Sequence, residues 1–253
     1  MKYYEAMLEL GCFSKKMIMQ LTGSEAAAKS ILYDYQNKGY IEKVKRDLYV
    51  VISLETKQPV LSRYQIGSQL YPDATISHHS AFETFGYANQ VFYDVYVETK
   101  SKFKDFEYNG IWYHHMTNNI HKDVVVDGKL RVTGIEQTIV DSIKDFRKIA
   151  GLEEVIRCIM LVPGVKEDKI LKALSMYNNM FLYQKCGYIL EQLQDELGLS
   201  DIFFKSLRIP TVDSKRYLIK ENGQNVWNPK WKLYVPVDFM HLINKGVGNY
   251  NAI

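Results

Sequence analysis

The sequence predicts an α+β fold: a helical start, then a mixed region of strands and helices. Three observations carry that reading. Apolar residues recur at helical spacing between Tyr3 and Tyr35. Asn109-Gly110 and Asp127-Gly128 each lie between alternating runs, the strongest short hairpin signal. Helical periodicity then returns from Glu136 to Leu197. A chain of 253 residues with 47% hydrophobic and 24% charged residues can bury a substantial core, as one large domain or two smaller ones.

Tyr3, Tyr4, Met7 and Leu8 mark a first helix. Ser14 precedes a second, Lys15–Leu21, which Thr22-Gly23 breaks. Ser24 is placed to cap a third helix, because its hydroxyl can accept an orphan backbone N–H. Ala28, Ile31, Leu32 and Tyr35 give that helix a buried stripe, and Gly39 is placed to end it. Tyr40–Val44 and Leu48–Val51 then read as two strands around the charged tip Lys45-Arg46-Asp47.

Helix, helix, tight turn, helix, hairpin is the order of a winged helix-turn-helix, which sets the second helix of the pair in a DNA major groove. Opposite the buried stripe, Ser24–Asn37 carries Ala26, Lys29, Ser30 and Tyr33, small at the start and then able to donate to bases or phosphates. Lys43, Lys45 and Arg46 on the hairpin, with Lys15 and Lys16 at the start of the second helix, are the expected phosphate contacts. The expected DNA-binding domain is residues 1–54. A module that binds only protein is the alternative for the same segment.

Residues 52–60, with Pro59, read as a linker. The second expected domain, residues 60–253, is mixed α/β. It opens with a helix over Leu61–Leu70, a turn at Pro72-Asp73 and a helix capped by Ser77 and stopped by Gly86. Strands are expected over Val91–Glu98, Phe103–Tyr108, Ile111–Met116, Val124–Val126 and Leu130–Val132. Helices follow at Glu136–Ile143, Leu152–Leu161, Lys166–Met176 and Asn179–Leu197. Beyond Gly198 the pattern weakens, and Lys215–Lys220 and Trp227–Val235 read as strands around Glu221-Asn222-Gly223 in a basic, strand-rich tail, residues 205–253.

The formal net charge is +3. Residues 1–50 hold eight Lys/Arg against six Asp/Glu, net +2, and residues 205–232 hold seven against two, net +5. The chain is thus basic near both ends, a modest nucleic-acid footprint that solvated surface charge also explains. Cys12, Cys158 and Cys186 have no C-x-x-C spacing, which fits a reducing cytoplasm rather than a disulfide or zinc framework. No stretch approaches the roughly 18 apolar residues of a membrane span, and Met1–Leu10 does not read as a secretory signal.

Four stretches resemble the AbiEi antitoxins of bacterial AbiE-type toxin–antitoxin, or phage-defence, systems. They are Lys38–Val51; Thr75–Glu83 with Gly86; Gly134–Asp141 followed by Gly151–Val155; and Cys186–Glu191. The resemblance implies a winged-helix transcriptional regulator joined to an antitoxin-type domain. It also implies repression of its own operon through promoter DNA with inverted repeats, and counteraction of a nucleotidyltransferase-like toxin. Two departures stand out. Gln137 replaces the family's usual Arg, which removes an ion pair, and Asp47 stands where the family has Gly at the tip of the wing.

No catalytic set, metal site or cofactor is expected. His78 and His79 start a helix beside Ser80, where adjacent side chains diverge by about 100° and pair poorly. Ser77 and His78 read as capping and packing residues. His114 and His115 face opposite sides of a strand, and His121 lies nearby. Glu136 and Asp141, five apart, do not share a helix face well. Neither phosphate-binding glycine motif is present. Asp94, Glu98 and Lys100 would be the acids and lysine of a fused nuclease or hydrolase, the enzyme alternative, but read as exposed strand charges. Trp227 and Trp231 read as edge packing of a terminal strand pair rather than as base-stacking platforms.

Overall fold

The computed structural model describes residues 2–117, 123–208, 216–220 and 224–239. It is α+β, with two compact units: Met1–Ile76 with Phe92–Asn118 and Val126–Val132, and Ser77–Val91 with Asn119–Val125 and Thr133–Ile253. Among the described residues no helix is long and apolar enough to cross a membrane.

In the first unit the order is α1 (Tyr4–Leu10), β1 (Cys12–Phe13), α2 (Lys15–Thr22), α3 (Glu25–Asn37), β2 (Ile41–Lys45) and β3 (Leu48–Val51). The caps follow from local chemistry. Ser14 Oγ accepts the Met17 N–H at 3.3 Å, and Ser24 Oγ accepts the Ala27 N–H at 3.1 Å. Ala28, Leu32 and Tyr35 of α3 are buried with Met7, Phe13, Ile18 and Ile41 in one apolar cluster. The strands form an antiparallel sheet in the order β1-β3-β2.

The hairpin tip departs from what Gly would do there. Asp47 takes φ +57°, the left-handed region that Asp tolerates better than most residues. Its carboxylate accepts the Lys15 N–H at 3.0 Å, one of the donors that the start of α2 leaves unpaired. An Asp at this tip therefore keeps the turn and adds a tie that Gly lacks.

The same unit continues with α4 (Arg63–Ser68) and β4 (Thr75–Ile76). Next in the chain is α5 (His78–Phe85), of the second unit, and then β5 (Asp94–Thr99), β6 (Phe106–Tyr108), β7 (Ile111–Thr117), β8 (Val124–Asp127) and β9 (Leu130–Thr133). The sheet order is β6-β7-β5-β4-β9-β8, with β5 parallel to β7 and β6 antiparallel to it. Asn109 (φ +52°) and Gly110 (φ +73°) make the tight β6–β7 turn, where two left-handed residues match the twist of the strands. The expected alternation of β5 fails: Val95 through Thr99 are all buried, because this strand is central in the sheet. Glu98, read as an exposed strand charge, is one of them.

The second unit is mainly helical: α5, α6 (Ile135–Asp145), α7 (Gly151–Met160), α8 (Glu167–Tyr177), α9 (Met180–Glu191), α10 (Gln194–Leu197) and α11 (Asp201–Arg208). The expected single helix Asn179–Leu197 is two, broken near Gln192 and Leu193. α6 is buried nearly all round, polar residues included, and touches α5, α7, α8 and α9. Several of its polar groups are paired, though the buried Ser142 hydroxyl has no partner among the described residues. Gln137 Nε2 donates to Asp141 Oδ1 at 2.8 Å, and the Tyr177 hydroxyl donates to the same oxygen. Gln137 thus keeps as a neutral hydrogen bond the partner that an Arg would hold as an ion pair. Glu136 accepts the Lys166 N–H at 3.0 Å.

The tail holds β10 (Arg216–Tyr217), β11 (Asn225–Asn228) and β12 (Leu233–Pro236), with β12 between the other two. The expected strand Trp227–Val235 is a hairpin whose connection carries Trp231. That residue is fully buried rather than at an edge, and its Nε1 donates to Glu191 at 2.8 Å. Lys215, Glu221-Asn222-Gly223, His121 and residues 240–253 lie outside the described residues.

Candidate nucleic-acid interface

Ala26, Lys29, Ser30 and Tyr33 lie on the exposed face of α3, opposite the buried Ala28, Leu32 and Tyr35. Tyr33 is 72% exposed, although it is a large aromatic side chain. Small residues and α3's N-terminus sit at one end of this face, Tyr33 further along it. Lys29 pairs with Glu25 at 3.1 Å, but both are well exposed, so this i,i+4 contact is weak and exchangeable. Lys15 reaches the same carboxylate at 3.0 Å, and Lys16 is exposed. Hydrogen bonds from Lys15 and Lys29 hold the Glu25 carboxyl below its ordinary pKa.

On the hairpin, Lys43 and Arg46 are exposed, whereas Lys45 is half-buried. Its ammonium lies 3.7 Å from the centre of the Tyr71 ring and 5.5 Å from that of Phe103. Lys45 is therefore held within its own unit, and the tip presents Lys43 and Arg46 outward.

The described histidines fall into three arrangements. His114 sits between two carboxylates, Nδ1 at 2.7 Å from Asp105 and Nε2 at 2.6 Å from Asp94. Burial works to lower its pKa, but these hydrogen bonds outweigh burial and raise it. Asp94 is thus tied to His114 rather than a bare strand charge. The His115 ring edge meets Phe103.

Ser77 occupies the N-cap position of α5, yet its hydroxyl makes no cap bond. Its Oγ lies 2.7 Å from His78 Nδ1 instead, and His78 Nε2 lies 3.5 Å from Asp145 Oδ2. The expected capping role for Ser77 is therefore corrected. The cause is backbone geometry: Ser77 is extended and His78 has φ +54°, so the divergence of neighbours within a helix does not apply. Burial works to raise the Asp145 pKa, but hydrogen bonds from His78 and Lys144 outweigh it and hold the carboxyl well below the usual range. The order Ser–His–Asp is that of a nucleophilic triad, but Ser77 and His78 have no more than 1% of their surface exposed, and a substrate has no access to them in this conformation.

The third arrangement was not foreseen. His79 Nδ1 lies 3.0 Å from Glu83 and Nε2 lies 3.1 Å from Glu154, whose other oxygen accepts from Asn89 at 3.1 Å. Cys158 Sγ is 3.4 Å from Glu154, and donor atoms of His79, Glu154 and Cys158 lie within 4.8 Å of one another. Such a trio has the residue types of a metal site. Here, however, both imidazole nitrogens face carboxylates at hydrogen-bond distance, which favours a buried imidazolium. Burial works to lower the His79 pKa; hydrogen bonds to Cys158, Glu154 and Glu83 outweigh it and raise it to about 11. Burial pushes the Cys158 thiol up. The sequence signal was two i,i+4 pairs, His79/Glu83 and Glu154/Cys158, on helices 75 residues apart.

A pH dependence follows. The raised His79 pKa adds stability that is complete below its unfolded value near 6.5 and is lost as pH rises toward about 11. Chemical denaturation at pH 6.5 and pH 9.5 should show the wild type weaker at the higher pH, with that loss reduced in His79→Gln. An equal loss in both proteins would place the dependence elsewhere.

No protein-family model matches the chain, and no curated protein matches it. Among solved structures the chain is similar to the RV2827C protein of Mycobacterium tuberculosis, with a TM-score of 0.63 and 12% identity over 97% of this chain and 94% of that one. At that identity the likeness is one of fold.

Proposed function

We propose that residues 1–54 are a winged helix-turn-helix that docks α3 in the major groove of duplex DNA, and that the chain is a transcriptional autorepressor and antitoxin of the AbiEi type. The observation that carries the DNA reading is the exposed face of α3, where Ala26, Lys29, Ser30 and Tyr33 stand clear of the core. The element order of residues 4–51 and the sheet order β1-β3-β2 also support it. Lys43 and Arg46, with Lys16, supply sequence-independent phosphate contacts. The antitoxin half, residues 60–253, and the toxin as functional partner rest on the resemblance of the four stretches. The proposal contains no catalytic step.

Fluorescence anisotropy of the full chain with its own promoter duplex tests the DNA half. Affinity should exceed that for a scrambled duplex of equal length by at least about 10³-fold. Equal affinity for both would remove the repressor reading. Changing Lys43 and Arg46 together to Ala should weaken binding to all sequences and flatten the slope of log K against log salt by about 1.8, at about 0.9 per phosphate contact. An unchanged slope would mean that the hairpin is not on the backbone. Co-expression with the product of the adjacent gene tests the antitoxin half: growth should be rescued, and toxicity undiminished by the full chain would refute it.

A further inference from the structure

We propose that the cleft lined by Arg147, Phe181, Lys185, Arg216, Tyr217 and Lys220 binds a nucleotide, with its phosphate on the cations and its base against the aromatic wall. These residues lie together in the second unit and enclose about 580 Å³, within the size range of small-ligand sites. Among the described residues the lining has four cations and no acid. Among the described residues none of the four is in an ion pair with a carboxylate, unlike Lys144, Lys148 and Lys230 nearby in sequence. Converging like charges repel, so a cluster without a lining acid is built for an anion.

The cations are also held in place. The Lys185 ammonium lies 4.9 Å from the Phe181 ring centre and 5.0 Å from that of Phe146, and it donates to the Lys144 carbonyl at 3.4 Å. The Arg216 guanidinium lies 5.0 Å from the Phe181 ring centre. Burial, the largest effect, pushes the Lys185 pKa down; the neighbouring Arg147 and Lys144 charges act the same way, against opposing effects of Cys186 and Asp145, and a bound anion relieves that cost. Arg147 and Arg216 offer planar forks suited to phosphate oxygens. Tyr217 stacks on Tyr234 at 4.7 Å and 16° and is still 39% exposed, a stiffened ring available to a base. The anion is therefore a phosphate that carries a planar base, supplied either free or as the end of a single strand.

Isothermal titration of the full chain with inorganic phosphate, AMP and a 5′-phosphorylated single-stranded hexanucleotide tests this. AMP or the hexanucleotide should bind at least tenfold more tightly than phosphate. Preference for AMP assigns a free nucleotide, and preference for the hexanucleotide assigns a strand end. R147E/R216E, two exposed positions, should lower nucleotide affinity at least tenfold, and Tyr217→Leu should lower it about tenfold while leaving the weak phosphate binding unchanged. Thermal melts of each variant establish that it is folded. Absence of binding by all three probes, phosphate binding as tight as AMP, or folded variants that bind like the wild type would each overturn the proposal.

Discussion

Replacing Lys29 with Glu and Tyr33 with Ala in one chain should abolish promoter-specific binding, with a loss of about 10²-fold or more in affinity. Both side chains lie on the exposed face of α3, so their replacement leaves the buried stripe of Ala28, Leu32 and Tyr35 intact. In the groove, each well-made base contact discriminates by about 1–3 kcal/mol, and two such contacts compound. The Glu also puts a negative charge against the phosphates, beside the existing Glu25. The Lys29–Glu25 pair lost from the free protein is exposed and costs little stability, so the variant should melt with the wild type. Promoter affinity within threefold of the wild type would place the DNA elsewhere on the molecule.

Among the described glycines of the second unit, Gly187→Ala should be the most destabilising such change through packing, at about 3 kcal/mol or more, beyond the usual range for overpacking. Gly in the middle of a helix ordinarily costs about 0.5–1 kcal/mol against Ala, so the substitution would be favourable on propensity alone. Here the packing reverses the sign. A Cβ at position 187 would stand 2.1 Å from Trp231 Cζ3 and 2.4 Å from two further ring atoms. The indole has nowhere to go: it is fully buried, its Nε1 is tied to Glu191 at 2.8 Å, and its ring edge meets Phe204 at a centroid distance of 6.3 Å. Urea denaturation of Gly187→Ala checks this, and Gly187→Ala with Trp231→Leu should recover part of the loss. A Gly187→Ala protein as stable as the wild type would mean that α9 and the Trp231 connection are not packed as described.

What was legible in the sequence was chemistry that acts within a few residues. Ser24 caps the helix expected of it, and Asn109-Gly110 makes its hairpin, since caps and turns are decided locally. β1 was not legible, because two residues become a strand only by pairing with Tyr49 and Val50, some 36 to 38 positions away. α11 was missed although its signals are local: Ser200 Oγ accepts the Phe203 N–H, and Phe203, Phe204 and Leu207 share a buried face. Ser77 looked like a cap because capping is the commonest use of Ser before a helix, but the left-handed His78 turns the hydroxyl to imidazole. Of the nine predicted contact residues seven are exposed and Lys15 is half-buried, while Lys45 is drawn onto Tyr71 by a ring that no local pattern announces. Trp231 looked like edge packing because the notch that receives it is a glycine 44 positions earlier.

Hydrogen–deuterium exchange of the full chain, with and without its promoter duplex, tests the docking of α3 on DNA most directly. The account predicts slowed exchange confined to the start of α2, to α3 and to the hairpin tip around Arg46, in the specific complex and not with a scrambled duplex. Promoter-dependent protection that leaves residues 24–37 unchanged and appears elsewhere in the chain would contradict it.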